Sequence, residues 1–363
     1  MLVTIIALLL STRFYPIDTT DFGCFPCRCH QKDHGAKHLA SCSLVGVLRL
    51  KDVSLSEQDI TSVAEDAFTS SWGLQRLSLS GNRLSVLPQN VFAPLESLQL
   101  LDLGRLGLQQ VESDTFTGLS NLRILSLSQN GLKELPEGLL RPMPALEQLL
   151  LGGKSDERGF LSQELLQHSP RLQVLDLSEN RLSSLPNGIF DKTPLLRTLD
   201  LGSNKLADLP GEIFSGLSKL QELDLRSNKL SELPAEVWAN LFSGLRNLQD
   251  LDLGINKLGQ LPSAVWFKSF AGLSNLQILD LRANKLSELP AEVFSGLSSL
   301  QELVLVYNKL RALPAEVFAG LSKLQKLYLS ENDLSELPAN VFSGLSKLQK
   351  LDLYQNELSV LPA

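Results

Sequence analysis

Residues 196–219 open with Leu196-Arg197-Thr198-Leu199-Asp200-Leu201-Gly202-Ser203-Asn204-Lys205-Leu206-Ala207-Asp208-Leu209-Pro210 and place Phe214 eighteen residues after the first leucine. The alternation around Leu199 and Leu201 has period two, so it reads as a short strand with one buried face. A unit this small cannot bury its own apolar positions and must stack on copies of itself. The copies are present. The phrase starts again at Leu74, Leu98, Leu122, Leu146, Leu172, Leu220, Leu248, Leu276, Leu300, Leu324 and Leu348, mostly 24 residues apart, and a degenerate unit from Val45 brings the expected number to thirteen. Nearest-neighbour stacking frees a chain of this length from the usual limit on core size, so one α/β solenoid with a parallel sheet is expected over 45–363.

A column of asparagines follows the strands: Asn82, Asn130, Asn180, Asn204, Asn228, Asn256, Asn284, Asn308, Asn332 and Asn356. The chain must turn inward there, and an amide side chain both donates and accepts, so each is expected to satisfy backbone groups of adjacent turns. Leu-Pro steps such as Leu209-Pro210 and Leu289-Pro290 remove an amide donor and predict irregular or 3₁₀ chain on the far side. The rings Phe92, Phe116, Phe190, Phe214, Phe294, Phe318 and Phe342 predict a stacked aromatic spine, with Trp238 and Trp266 taking their place in the two 28-residue units.

Two units break the pattern. Leu106 stands where an asparagine is expected, which predicts turn amides without a partner. In the unit from Leu146, Lys154 takes that position within a Gly-Gly-Lys-Ser-Asp-Glu-Arg-Gly stretch at 152–159, and a bend or loop is expected. Gly153-Lys154-Ser155 is not a phosphate-binding loop, because Gln148 stands where such a loop needs glycine.

The formal net charge is −7 and no Lys/Arg cluster is interleaved with aromatics, so the footprint of a nucleic-acid binder is missing. Residues 2–10 form an apolar run too short to span a bilayer, which reads as the core of a signal peptide over 1–20. Residues 21–44 hold all four cysteines, Cys24, Cys27, Cys29 and Cys42, where a stapled cap would cover the open end of the stack. Four cysteines allow three pairings. His30, His34 and His38 make zinc an alternative, but the signal-like start favours disulfides, and no metal or cofactor is expected. The chain stops within a unit, at Leu361-Pro362-Ala363, without a second cysteine cluster. A C-terminal cap is thus absent from the sequence, and a membrane anchor beyond Ala363 fits that ending.

The unit Leu-x-x-Leu-x-Leu-x-x-Asn-x-Leu-x-x-Leu-Pro-x-x-x-Phe resembles the typical class of extracellular leucine-rich repeats, and the four cysteines look like that family's N-terminal cap. Its members include Toll-like receptors, Slit proteins and the variable lymphocyte receptors of jawless fish. The resemblance implies a horseshoe with a concave parallel sheet and cap pairs Cys24–Cys29 and Cys27–Cys42.

Third, fifth, seventh and eighth positions of each unit are expected to point outward on the concave face. At the fifth, Asp176, Asp200, Asp224, Asp252 and Asp280 form an acidic column, with Arg226 and Arg282 near enough to compensate in part. Like charges in register repel, so the column suits a basic partner. Further along, Val304, Val306, Tyr307, Tyr328 and Tyr354 occupy outward positions, and tyrosine adds contact area at little entropic cost. A third row, Lys205, Lys229, Lys257, Lys285 and Lys309, follows the asparagines; Asp208, Glu232 and Glu288 three residues on predict a solvated, partly paired stripe, with sulfated glycan as the alternative. No nucleophile, base and acid can be assembled, His168 standing alone, so no enzyme is expected. The reading is an extracellular recognition scaffold, a receptor or secreted binding protein for a protein ligand of basic character. A matrix or carrier component whose repeats serve assembly is the alternative.

Overall fold

The computed structural model describes residues 29–31, 37–39, 50–153, 161–231, 235–259, 270 and 272–360. The chain divides into two compact units, Met1–Ser155 and Asp156–Ala363.

In the first unit, β1 (Cys29–Gln31) and β2 (Lys37–Leu39) are antiparallel, and β2 also pairs in parallel with β4 (Ile60–Val63). The repeat strands β3 (Asp52–Ser54), β5 (Arg76–Ser78), β6 (Leu100–Asp102), β7 (Ile124–Ser126) and β8 (Gln148–Leu150) form a parallel ladder in chain order. Val53 is the register partner of Leu77, so Leu50 is equivalent to Leu74 and the first repeat starts there, five residues later than Val45. The run around Leu48, Leu50 and Val53 offers more than one alternating apolar register, and only strand pairing selects between them.

In the second unit, β9 (Val174–Asp176), β10 (Thr198–Asp200), β11 (Glu222–Asp224), β12 (Asp250–Asp252), β13 (Ile278–Asp280), β14 (Glu302–Val304), β15 (Lys326–Tyr328) and β16 (Lys350–Asp352) make an eight-stranded parallel ladder. Every pair aligns the same repeat position, as in Leu199 with Leu223 and Leu223 with Leu251. The leucines of these strands and turns are the core; Leu199, Leu201, Leu251, Leu279 and Leu303 are 0% exposed.

The asparagine column does what its chemistry demands. Asn204 Oδ1 accepts the Leu182 N–H at 2.9 Å, and its Nδ2 donates to the carbonyls of Leu177 and Leu201 at 2.9 Å each. One side chain thus ties two turns together. The same bonds recur at Asn130, Asn228, Asn256, Asn284, Asn308, Asn332 and Asn356. Asn82 bonds Gln58, Ile60, Leu55 and Leu79 in the same way, and Asn180 is buried. The turn at Leu106 is itself held in the regular way, by Asn130 Oδ1 accepting the N–H groups of Leu106, Gly107 and Leu108 at 3.0–3.1 Å. The Leu79 and Leu103 carbonyls are met by Asn82 and Asn130, so what an asparagine at 106 would add is an acceptor for the Leu84 N–H, 22 residues earlier.

Beyond the turns, the far side is built from i to i+3 bonds such as Ser215 N–H to Glu212 and Val293 N–H to Pro290, the 3₁₀-type geometry that the Leu-Pro steps predict. One 28-residue unit departs from this with a short helix, α1 (Ala235–Leu241). The rings stack at 5.9–6.4 Å in the series Phe68–Phe92–Phe116, Phe190–Phe214, Phe242–Phe270 and Phe294–Phe318–Phe342. Trp238 does not replace a spine phenylalanine. Phe242 stacks nearly parallel on Phe270, at 9°, while the buried Trp238 lies tilted at 56° against Phe242. The phrase Phe242-Ser243-Gly244-Leu245 repeats Phe214-Ser215-Gly216-Leu217, so the extra residues enter before the ring, and distance from the end of the unit fixes the spine. Trp266, Lys154, Cys24, Cys27, Cys42 and the segment 1–20 lie outside the described residues, and of Cys29 only the strand position is described.

Candidate functional site

At the fifth repeat position of the second unit, the register sets Asp176 beside Asp200, then Asp224, Asp252 and Asp280 on successive strands. Adjacent parallel strands lie about 4.8 Å apart, so these carboxyls form one continuous lane. They are not the open display the alternation suggests. Asp200, Asp224 and Asp280 are 4–5% exposed and Asp176 is 9% exposed, because each short side chain turns back onto its own turn. Oδ1 accepts the N–H two residues on: Ser178 from Asp176, Gly202 from Asp200, Arg226 from Asp224, Gly254 from Asp252 and Arg282 from Asp280, at 2.8–2.9 Å. The lane therefore has a structural duty as well as a charge.

Two cations answer it. Arg226 Nε lies 3.2 Å from Asp224 Oδ2, and Arg282 pairs with Asp280. Burial, the largest cause, raises the pKa values of Asp176, Asp224, Asp252 and Asp280 above the usual carboxylate range, and that of Asp200 to about 7, where Asp224 and Asp176 add repulsion. At the third position Glu222 pairs with Asp250. Asp250 is also pushed to about 7, by burial first and then by Glu222, Asp252, Asp224 and Asp280. None of these causes lowers it, whereas Arg226 or Arg282 lowers Asp200, Asp224, Asp252 and Asp280.

On β14 to β16 the face changes. Val304 and Tyr328 are register partners and half-buried, and Lys350 Nζ sits 4.7 Å from the Tyr328 ring centroid, a cation–π contact. Val306 is half-buried, while Tyr307 is 58% and Tyr354 69% exposed. The structure thus brings the five expected aromatic and aliphatic residues onto three adjacent repeats. An exposed apolar residue that the sequence reading missed lies two repeats before them, in the unit from Leu248.

The eighth position of every unit turns through left-handed backbone, from Arg105, Gln129 and Gly153 in the first unit to Glu179, Ser203, Ser227, Ile255, Ala283, Tyr307, Glu331 and Gln355 in the second. Gly153 suits it, since φ is +109° and a Cβ would meet the Gln129 backbone at 3.0 Å. Ile255 does not suit it: a β-branched residue at φ 54° is strained, and it is also 52% exposed. The signal was available, as an isoleucine at a variable position otherwise filled largely by Ser, Ala, Glu, Gln and Gly.

The lysine row also differs from expectation. Lys205, Lys229, Lys257, Lys285 and Lys309 are all exposed, and among the described residues none is in an ion pair, although exposed Asp208 and Glu288 stand three residues on; Glu232 lies outside the described residues. Among the described residues no cluster of His, Cys, Asp and Glu has metal-binding geometry, and no helix is long and apolar enough to cross a membrane.

The leucine rich repeat family model matches residues 49–105, 102–154, 159–206, 194–258, 267–310 and 298–358. The chain belongs to the leucine-rich repeat family, as repeat, register and buried asparagines together require. No curated protein sequence matches it. Among solved structures, a chain of the glycosylated Drosophila Toll–Spatzle complex is similar at 25% identity and a TM-score of 0.72, over 88% of this chain and 48% of that one. This chain therefore spans about half the length of its Toll neighbour. A leucine-rich repeat protein of Leptospira interrogans matches at 27% identity and TM-score 0.53, over 88% of this chain and 95% of that one. The octameric complex of Latrophilin 3, Unc5D and FLRT2 contains a chain matching at 24% identity and TM-score 0.64, over 82% and 88%, which shows the fold alone.

Proposed function

We propose that this chain is an extracellular protein-binding scaffold, a receptor or secreted binding protein that engages a basic protein ligand on the outward face of the sheet at residues 172–360. One observation carries the reading: within one rigid ladder, a poorly compensated acidic lane adjoins an exposed aromatic patch. Uncompensated charge steers a partner of opposite sign, and exposed tyrosines on rigid backbone supply anchoring area. The recessed carboxyls act mainly through their field, whereas Tyr307 and Tyr354 make contact. Toll and FLRT2 were each solved in complexes with protein partners, which supports the same class of activity here. The apolar segment at 2–10 and the cysteine cluster at 24–42 support an extracellular setting.

Capture of secreted proteins on the immobilised chain, with Tyr307→Ala/Tyr354→Ala as the control surface, tests the reading. A specific partner should lose about 2 kcal/mol or more of affinity on the double variant, while the melting temperature stays unchanged. A partner held equally by both surfaces places the ligand elsewhere.

A further inference from the structure

The five lysines that follow the asparagines share one backbone position in successive repeats. Each lysine N–H donates to a leucine carbonyl one repeat earlier, Lys205 to Leu182, Lys229 to Leu206, Lys257 to Leu230, Lys285 to Leu258 and Lys309 to Leu286, at 2.7–2.9 Å. Their backbones therefore share the strand pitch, and the row from first to last spans roughly 19 Å at ~4.8 Å per strand. The row ends after Lys309, where the same position carries Asp333 and Glu357; before Lys205 that position carries the exposed Arg181, and in the first unit Arg83 is paired with Asp59 at 3.3 Å while Gly107 and Gly131 follow.

Five exposed ammonium groups in a line, none neutralised among the described residues, repel one another and gain most from a partner whose anions recur along a stiff backbone. A flexible acidic peptide would have to be ordered to match them, at an entropic cost that a stiff polymer avoids. Nucleic acid fits less well, because among the described residues the exposed ring beside the row is Tyr307 at its Lys309 end and none stands between the other lysines to stack bases, and lysine offers point charges where planar phosphate recognition favours arginine forks. We propose that this row is a binding site for a linear sulfated polysaccharide lying along the stack, separate from the sheet face assigned to the protein ligand. Permanently ionised sulfates meet the ammonium groups one or two at a time.

The test measures binding of the full chain to heparin over a range of salt concentrations, with unsulfated hyaluronan, polyglutamate and duplex DNA as comparison probes. Lys229→Gln/Lys257→Gln/Lys285→Gln should weaken heparin binding by roughly tenfold or more, and lower the slope of log affinity against log salt by about three, near one for each lysine. The control triple Lys219→Gln/Lys323→Gln/Lys347→Gln removes the same charge from exposed positions off the row and should leave affinity within about threefold. A Lys→Arg triple in the row, which keeps charge, should bind as the parent does. Equal losses in row and control triples, no heparin binding by the parent, or binding of hyaluronan, polyglutamate or DNA as tight as that of heparin would each overturn the assignment. Thermal melts of all variants separate loss of binding from loss of fold.

Discussion

The sheet at residues 50–153 and the sheet at residues 172–360 are built on the same kind of interior and carry two different faces. Inside, Asn130 and Asn228 each accept an N–H and donate to two leucine carbonyls at nearly the same distances, 2.8–3.1 Å. Outside, the first sheet has Ser78, Asp102, Ser126 and Leu150 at the fifth position and answers most of its acids with arginines, as in Arg76–Asp52, Arg105–Glu57 and Arg123–Glu147. The second sheet lines up Asp176, Asp200, Asp224, Asp252 and Asp280, meets them with Arg226 and Arg282, and then turns aromatic. A stack whose cohesion resides in leucines and asparagines leaves its outward strand positions free to vary. The face of the second sheet, mainly acidic and then aromatic, shows that variation most clearly.

The equivalence of the two interiors breaks most visibly if one asparagine matters and the other does not. Asn228→Ala and Asn130→Ala should each lower unfolding stability by about 1–3 kcal/mol, since each strands buried turn groups, as read by denaturant melts. A neutral result at either site would mean that its turn is held by something other than the side-chain amide.

Contrast between the faces is sharpened by pH. Folding holds protons on Asp200 and Asp250 up to about pH 7, whereas the unfolded chain releases them near the ordinary aspartate value. The folded state binds more protons across that window, so this contribution to stability is full below about pH 4, falls as pH rises to about 7, and is level above. Asp250→Asn should flatten part of that slope and raise stability at pH 8 by about 1–2 kcal/mol. An unchanged slope in the variant would assign the pH response to other groups.

A smaller effect separates display from folding at Ile255. Glycine relieves the left-handed strain at the expense of backbone entropy, so Ile255→Gly should stabilise the chain by about 0.5–1 kcal/mol. Loss of stability instead would show that the exposed isoleucine packs against something the strand geometry does not reveal.

Much of this was legible from Leu-x-x-Leu-x-Leu-x-x-Asn. The period named the strands, the asparagine named the turn, and the Leu-Pro step named the 3₁₀-type return. Boundary and exposure were not legible. Val45 looked like a start because apolar alternation near 45–55 has more than one phase, and only pairing of Val53 with Leu77 chose among them. Trp238 looked like a spine ring because counting from the first leucine ignores where a four-residue insertion falls.

What the sequence determined by itself is the interior: a leucine or an asparagine at a fixed phase has one low-energy place to go, out of water or onto unpaired backbone. What only the tertiary structure decided is the condition of the outward residues. Whether Asp200 is open or folded back onto Gly202, whether Lys257 finds an acid, and whether Ile255 must turn left-handed all depend on neighbours a full repeat away, whose distance is set by strand pitch and not by chain order.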